Sequence, residues 1–190
     1  MNVYSRARLI MLPFKAINGA LPEKGLIYEI GSGFGVLAAY LAFCAPQRQV
    51  VGIDFDKEKI KTAKSEWKDT NISFVWADAL TYPYKQFQGA ILSDFLHHLE
   101  YTSQEEILKR LAKKVAKRGT VIIKEIDKND GIFTLCSRLW DYLFYPHDKI
   151  YYRSKQELSQ LLSTLGFIVK VKRQVRWFPG STYVFICKKV

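Results

Sequence analysis

The sequence predicts an α/β fold in which a mostly parallel sheet carries helices on both faces. Three observations lead to this prediction. Short apolar runs suited to buried strands alternate along the chain with longer segments of helical character. Acidic residues follow several of these runs, and a glycine-rich turn joins the first run to a helix. The 190 residues suffice for a single domain, 1–190, with a substantial core.

The chain begins with a basic and apolar segment. We predict an apolar helix over residues 4–16, interrupted near Pro13, and assign residues 1–22 to a helical cover over a sheet edge or a bound ligand. Because Arg6 and Arg8 stand beside an apolar run, contact with a membrane surface is a second interpretation. The segment lacks a small-residue cleavage site, so we interpret it as retained.

The stretch 26–41 carries the strongest signal. An apolar strand runs into a turn with three glycines and then into an Ala/Leu-rich helix; the glycines are Gly31, Gly33 and Gly35. A dinucleotide fingerprint would need its third glycine where Val36 stands, and Glu29 would repel a diphosphate. The turn therefore favours the polar end of a different ligand. A purely structural turn is the alternative.

An acid follows the second predicted strand, 49–53. Asp54 lies about 20 residues beyond the glycine turn, where βαβ nucleotide-binding units place a carboxylate for ribose hydroxyls. A carboxylate suits a diol because its two oxygens accept both hydroxyl donors. Phe55 is suited to packing against an adenine face, and Asp56 is the better N-cap for the next helix. A solvated loop aspartate is the alternative for Asp54.

Two more strands end in polar loops. Strand 72–76 is followed by Asp78 and Ala79, and strand 89–93 by Asp94 and a segment that contains His97 and His98. An imidazole can take a proton from a hydroxyl or a carboxylic acid near neutral pH. We predict His97 and His98 as candidates for a catalytic base. The alternative is that one of them caps the following helix or packs beneath a ligand.

The spacing Glu29-x-Gly31-x-Gly33-x-Gly35, the later acids and the segment 94–99 resemble the class I S-adenosylmethionine-dependent methyltransferases of small-molecule type. The resemblance is specific over residues 26–127. It implies a Rossmann-like, doubly wound sheet of seven strands in the order 3-2-1-4-5-7-6, with the last strand antiparallel. The implied cofactor is S-adenosyl-L-methionine.

The resemblance also implies roles for single residues. Glu29 and the three glycines would hold the amino-acid end of the cofactor, and Asp54 would hold its ribose. Asp78 would receive the adenine amino group, while the backbone N–H of Ala79 would meet the ring nitrogen. Asp94 would lie beside the methionine amino group.

The C-terminal half continues the alternation. We predict a helix over 103–117 that ends at Gly119, a strand over 120–126, a helix over 154–165 with a Ser154–Glu157 capping box, and strands over 167–175 and 183–188 joined by a turn at Pro179-Gly180. Between them, residues 128–153 are dense in large apolar groups, which would be costly to leave exposed. We predict a helical lid that forms the acceptor pocket; a plain packing helix is the alternative.

Charge and cysteine usage limit the partners. Lys and Arg outnumber Asp and Glu by 18 to 8 in residues 101–190 but only by 11 to 10 in residues 1–100. This surplus can attract an acidic substrate, nucleic acid or a membrane surface, or it can simply be solvated. Three scattered cysteines have no metal-ligand spacing, so we predict a cytoplasmic protein and no metal site.

We therefore predict an S-adenosylmethionine-dependent methyltransferase that methylates a small, apolar or aromatic acceptor at an oxygen atom. An RNA 2′-O-methyltransferase resembling the Lys-Asp-Lys-Glu family is the first alternative, with Lys15, Asp94 and Lys124. It is disfavoured because residues 166–190 contain no fourth, acidic member and the lid contains only Arg138 between Ile132 and Tyr145. A cofactor-binding module without catalysis is the second alternative. The sequence leaves the oligomeric state open.

Overall fold

The computed structural model describes residues 13–144, 149–174 and 181–190. These residues form seven strands: β1 Gly25–Ile30, β2 Arg48–Asp54, β3 Ile72–Trp76, β4 Phe87–Ser93, β5 Val115–Glu125, β6 Phe167–Arg173 and β7 Tyr183–Lys189. They also form six α-helices: α1 Phe14–Ala20, α2 Val36–Cys44, α3 Lys57–Glu66, α4 Tyr101–Lys114, α5 Ile132–Phe144 and α6 Lys155–Thr164. A 3₁₀ turn, Leu96–His98, follows β4.

The seven strands form one sheet in the order β3-β2-β1-β4-β5-β7-β6, which confirms the predicted fold. Strands β1 to β5 run parallel, and β7 is antiparallel to both of its neighbours. Ile30 at the end of β1 pairs with Ile53 on one side and with Leu92 on the other. The carboxyl ends of the central strands therefore coincide, and the loops that follow them share one edge of the sheet.

Apolar side chains cover both faces of the sheet, as the near-continuous apolar strands predict. On one face, Ile27, Val50 and Ile122 pack with Leu37 and Leu41 of α2, and α1 and α3 contribute to the same cluster. On the other face, the core is formed with α4 and α6. The loops at the carboxyl edge are thus carried by a rigid three-layer body.

Two predicted helix starts are confirmed. The Asp56 carboxylate accepts hydrogen bonds from the backbone N–H groups of Glu58 and Lys59, so Asp56 caps α3. Ser154 and Glu157 form the predicted capping box at α6. A hydrogen bond from Lys128 holds the pKa of the Glu157 carboxyl below its usual value.

The predicted helix stop at Gly119 is wrong. Helix α4 ends at Lys114, and Val115 already pairs with Phe87 as the first residue of β5. A register shift beside β4 and a left-handed backbone at Arg118, with φ of 63°, accommodate the extra residues. A Cβ at position 119 would lie 2.6 Å from the Val115 side chain, so this glycine permits a close approach inside a bulged strand.

The N-terminal helix also differs from the prediction. Helix α1 begins directly after Pro13 and continues to Ala20, four residues beyond the predicted end. Its Ile17 is fully buried, and its Phe14 ring meets the Tyr40 ring of α2 edge-on at 4.8 Å. Residues 1–12 and the predicted turn at Pro179-Gly180 lie outside the described residues.

A buried arginine holds together the elements at the amino ends of the parallel strands. Arg48, 1% exposed, donates hydrogen bonds to the side chain and carbonyl of Asn18 and to the carbonyls of Pro22 and Leu41. Burial lowers the pKa of its guanidinium below the usual value. Arg48 therefore joins α1, α2 and β2 at the amino ends of the strands, on the side of the sheet opposite to the candidate site.

The lengths of the helices decide whether any of them could span a membrane. Among the described helices, none is long and apolar enough to cross a bilayer.

Candidate functional site

The glycine turn after β1 has a backbone that side chains with a Cβ rarely adopt. Gly31, Gly33 and Gly35 have φ values of 74°, 54° and 75°, and Gly35 is the N-cap of α2. A Cβ at Gly31 would lie 2.5 Å from the Phe95 ring. Glycine is needed at position 31 both for its backbone conformation and for this close approach.

Asp54 ties the end of β2 to this turn. Its Oδ2 accepts a hydrogen bond of 2.7 Å from the Gly33 N–H, and its Oδ1 accepts one of 2.9 Å from the Asp56 N–H. The residue is 8% exposed. It is therefore neither a solvated loop aspartate nor the cap of α3. One hydrogen bond on each oxygen leaves acceptor capacity in the carboxylate, which has about four lone-pair sites.

Exposed aromatic side chains border Asp54. Phe55 is 76% exposed, and Trp76 at the end of β3 is 55% exposed. The Trp76 indole N–H donates to the Phe55 carbonyl at 2.8 Å, which holds the two loops together. Asp78 is also exposed, and its Oδ1 accepts from the Leu80 N–H at 2.8 Å, while Ala79 beside it is buried. These residues form an open, partly apolar shelf next to a buried carboxylate.

Glu29 is the most enclosed of the predicted acids. It is 2% exposed and lies within β1, opposite Gly52 of β2. Gly52 has no Cβ, and one placed there would lie 2.9 Å from the Ser32 hydroxyl. Glu29 is thus an enclosed acid one residue before the end of the strand that leads into the glycine turn.

Asp94 forms an ion pair with the end of β5. It follows β4 with a left-handed backbone, φ 52°, and Lys124 Nζ lies 2.5 and 2.6 Å from its two carboxylate oxygens. Lys124 is 4% exposed, and the Asp94 N–H donates to the Lys124 carbonyl at 2.9 Å. The pair joins the ends of β4 and β5.

Glu125, the next residue of β5, organises the histidine segment. Its Oε1 accepts hydrogen bonds from the Phe95 and Leu96 N–H groups at 3.0 and 2.7 Å. Its Oε2 lies 2.6 Å from His97 Nδ1. Glu125 and His97 are 5% and 2% exposed. A buried acid therefore fixes the 3₁₀ turn and the orientation of one imidazole at once.

The second histidine packs against the first, with the two rings tilted by 41°. The His97 and His98 rings are 4.4 Å apart between centroids, and the Tyr152 ring lies 5.5 Å from His97. His98 is half-buried. The Tyr151 N–H donates to the His97 carbonyl at 2.8 Å, so the end of the predicted lid, residues 128–153, touches the histidine segment.

The predicted residues thus form two groups at one edge of the sheet. The first joins the glycine turn, Asp54 and the shelf after β3. The second joins Asp94 with Lys124 and His97 with Glu125. Phe95 connects the groups, because its N–H bonds to Glu125 while its ring lies over Gly31. Among the described residues, no group of three or more His, Cys, Asp or Glu side chains is placed to hold a metal ion.

Sequence reasoning missed Glu125 as a site residue and treated Lys124 only as part of an alternative. Both stand at the end of an apolar strand, and an acid at that place was the available signal. Their roles depend on the register between β4 and β5, which pairs Ser93 with Lys124. Single-sequence patterns do not specify that register.

The chain matches a family model described as a methyltransferase domain over residues 5–170. No curated protein matches it by sequence. Solved structures show the same fold. Human N-acetylserotonin methyltransferase, in complex with SAM, is 19% identical with a TM-score of 0.74, and the match covers 95% of this chain and 52% of that one.

Two further structures are similar over most of their own length. Magnesium protoporphyrin IX methyltransferase from Synechocystis PCC 6803 is 16% identical with a TM-score of 0.71, covering 93% of this chain and 78% of that one. A SAM-dependent methyltransferase from Methanosarcina mazei is 20% identical with a TM-score of 0.71, covering 94% and 98%. The chain spans about half of the human enzyme's length, and these similarities concern the fold.

Replacing Gly31 by Ala should lower the free energy of unfolding of the protein. The left-handed backbone costs about 1–2 kcal/mol for a residue with a Cβ, and overlap with the Phe95 ring adds about 1–3 kcal/mol. Gly131→Ala is the matched control, because Gly131 has φ of 58° but a Cβ placed there would meet nothing within 4 Å. Denaturant unfolding should give a larger loss for Gly31→Ala than for Gly131→Ala; equal losses would contradict the close approach of Phe95.

Proposed function

The chain belongs to the class I S-adenosylmethionine-dependent methyltransferases, and on that basis we propose that it methylates an oxygen atom of a small, largely apolar or aromatic acceptor. S-adenosylmethionine is the cofactor, and its sulfonium supplies a methyl group that is already activated. The residues of the chain then have three tasks: to hold the cofactor, to align the acceptor and to accept a proton.

We assign the cofactor's ribose to Asp54. Its carboxylate is nearly enclosed, uses one hydrogen bond on each oxygen and keeps acceptor capacity for a diol. The adenine would lie on the shelf beside it, with Phe55 against a ring face. Asp78 would accept from the adenine amino group, and the Ala79 N–H would donate to the ring. The exposed aromatic surface at Phe55 and Trp76 fits such a planar group.

The amino-acid end of the cofactor would lie over the glycine turn. The N–H groups of Gly31, Gly33 and Gly35 are already donated to Ile53, Asp54 and Ser32, respectively. The cofactor carboxylate would therefore lie at the N-terminus of α2, which begins directly after Gly35. Glu29 near the end of β1 would provide negative charge for the ammonium group, and the Asp94 carboxylate would accept a hydrogen bond from it. Lys124 balances the charge of Asp94 and keeps its carboxylate at the end of β4.

The single observation that carries the catalytic proposal is the contact between Glu125 and His97. Glu125 Oε1 accepts hydrogen bonds from two backbone N–H groups, and Glu125 Oε2 is placed to accept one from His97 Nδ1–H. That tautomer leaves Nε2 as the proton-accepting nitrogen of His97. We therefore assign His97 as the base, Glu125 as its positioning residue and His98 as a ring packed against it.

Residues 128–153 support an apolar acceptor. Their end is hydrogen-bonded to the His97 carbonyl through Tyr151, so the segment borders the proposed base. Small-molecule pockets combine mainly apolar walls with a few polar groups, and the Tyr152 ring of this segment, 5% exposed and 5.5 Å from the His97 ring, can supply part of such a wall. We propose that it forms part of the acceptor pocket, as a lid.

The Asp94–Lys124 ion pair is the one observation that favours RNA 2′-O-methylation as a second candidate. It reproduces two members of the Lys-Asp-Lys-Glu set, and Lys15 would be the third. Residues 166–190 contain no acid to complete the set. An RNA acceptor would give activity that falls steeply as salt rises, whereas a small apolar acceptor would not.

We propose a reducing compartment, the cytoplasm, for the protein. Cys44, Cys136 and Cys187 are all free thiols. Burial raises the pKa of the Cys187 thiol to about 12, which keeps it unreactive.

Replacing Asp54 by Asn should weaken S-adenosylmethionine binding by about ten- to a hundredfold, because a charge-assisted hydrogen bond is worth about 1.5–3 kcal/mol. Calorimetry on folded protein measures the affinity. Asp56→Ala is the control: it removes a neighbouring acid and the cap of α3, and it should lower stability while leaving the cofactor affinity unchanged. An unchanged affinity in Asp54→Asn would contradict the ribose assignment.

Replacing His97 by Ala should lower kcat by roughly 10²–10⁴-fold while the affinity for S-adenosylmethionine stays unchanged. Glu125→Gln should also lower kcat without weakening the binding of the cofactor. The amide would donate a hydrogen bond to His97 Nδ1 and so place the imidazole proton on Nε2. His98→Ala is the comparison variant and should retain more activity than either. Parallel losses of cofactor affinity and kcat in all three would make the segment structural.

A further inference from the structure

Helix α5 turns its apolar side chains toward solvent. Five large apolar residues of this helix are 60–67% exposed: Ile132, Leu135, Leu139, Tyr142 and Leu143. Their spacing places them on one stripe of an α-helix, about 100° wide. We call these five residues the α5 ridge. An exposed apolar stripe of this length is characteristic of an interaction surface.

Polar residues hold the helix in this orientation. Thr134 and Ser137 are 4% and 6% exposed and face the body of the protein. The Thr134 hydroxyl donates to the Asp127 carbonyl at 2.6 Å, and the fully buried Ser181 donates its N–H to the Ser137 hydroxyl at 3.1 Å. Rolling the ridge inward would break these bonds and leave buried polar groups without partners. The hydrogen bonds of Thr134 and Ser137 therefore keep the ridge exposed to solvent.

Basic side chains lie next to the ridge. The Arg173 guanidinium at the end of β6 lies 4.8 Å from the Phe133 ring of α5 and forms a 3.0 Å ion pair with Asp130. Lys170 and Lys172 are exposed on the same edge strand, and Arg138 is exposed on α5 itself. Helix α5 and strand β6 together contain four Lys and Arg residues and one acid, Asp141. Basic residues therefore outnumber acidic ones on the two elements that border the ridge.

We propose that the α5 ridge docks on the surface of a bilayer that carries anionic lipids. Helices of this kind lie in the interface, with the apolar face in the acyl boundary and Lys and Arg near the head groups. The positive surroundings separate this partner from a second copy of the chain, because two ridges packed together would bring like charges close to each other. The proposal is independent of the proposed reaction, since docking needs neither cofactor nor turnover.

Vesicle sedimentation of the full chain tests the proposal. The protein should bind vesicles of phosphatidylcholine mixed with phosphatidylglycerol at least about tenfold more tightly than vesicles of phosphatidylcholine alone. The double variant Leu135→Glu/Leu139→Glu should lose most of this binding. Phe43→Glu is the matched control: Phe43 is 82% exposed on α2, and its replacement should leave binding unchanged. Lys170→Glu/Lys172→Glu should weaken binding only to the anionic vesicles.

Thermal unfolding establishes that each variant is folded, and Leu135→Ser/Leu139→Ser replaces the charged pair if it is not. Four outcomes would overturn the proposal: no binding by the unmodified chain, equal binding by the ridge variant, ridge-dependent self-association without vesicles, or binding that is lost only on deletion of residues 1–12. The last outcome would place the membrane contact in the N-terminal segment.

Discussion

Two buried carboxylates hold the loops at the carboxyl edge of the sheet, and the arrangement of the site depends on them. Asp54 accepts backbone N–H groups from the glycine turn and from its own loop, and Glu125 accepts two from the 3₁₀ turn after β4. Loops that would otherwise sample many conformations are tied to rigid strands. Each carboxylate also has a proposed role in the reaction: Asp54 binds the ribose of the cofactor, and Glu125 positions His97, the proposed base. One type of interaction thus serves both stability and function.

Much of the fold and part of the candidate site could be predicted because local rules decide them. Strands of a largely buried sheet appear in the sequence as short apolar runs, which is why the ends of β3 were predicted without error. The sheet order was implied by the family resemblance, and the structure confirms it. The glycine turn was visible because φ near 74° at Gly31 excludes almost every other residue. Asp54 could be proposed as a ligand of the cofactor because the number of residues between it and the glycine turn is set by the length of one βα unit.

The remaining features depend on contacts between segments far apart in sequence. Gly119 resembled a helix stop, but a bulged strand demanded a residue without a Cβ there. Glu125 lies 28 residues from His97, and only the register of β4 against β5 brings them together. The direction of α5 was also hidden, since its sequence is apolar on much of its circumference and the buried side was decided by Ser181, 44 residues from Ser137. In each case tertiary pairing overrode the local pattern.

All of the residue assignments require that the strand ends after β1, β2, β3 and β4 form one site for one cofactor. Titration calorimetry of the purified chain with S-adenosylmethionine, its demethylated product and NAD tests this requirement most directly. We predict one site per chain, competition between the first two ligands, and weaker binding of NAD, because Glu29 and Val36 disfavour a diphosphate at the glycine turn. NAD binding tighter than S-adenosylmethionine, or independent sites for the cofactor and its product, would contradict it.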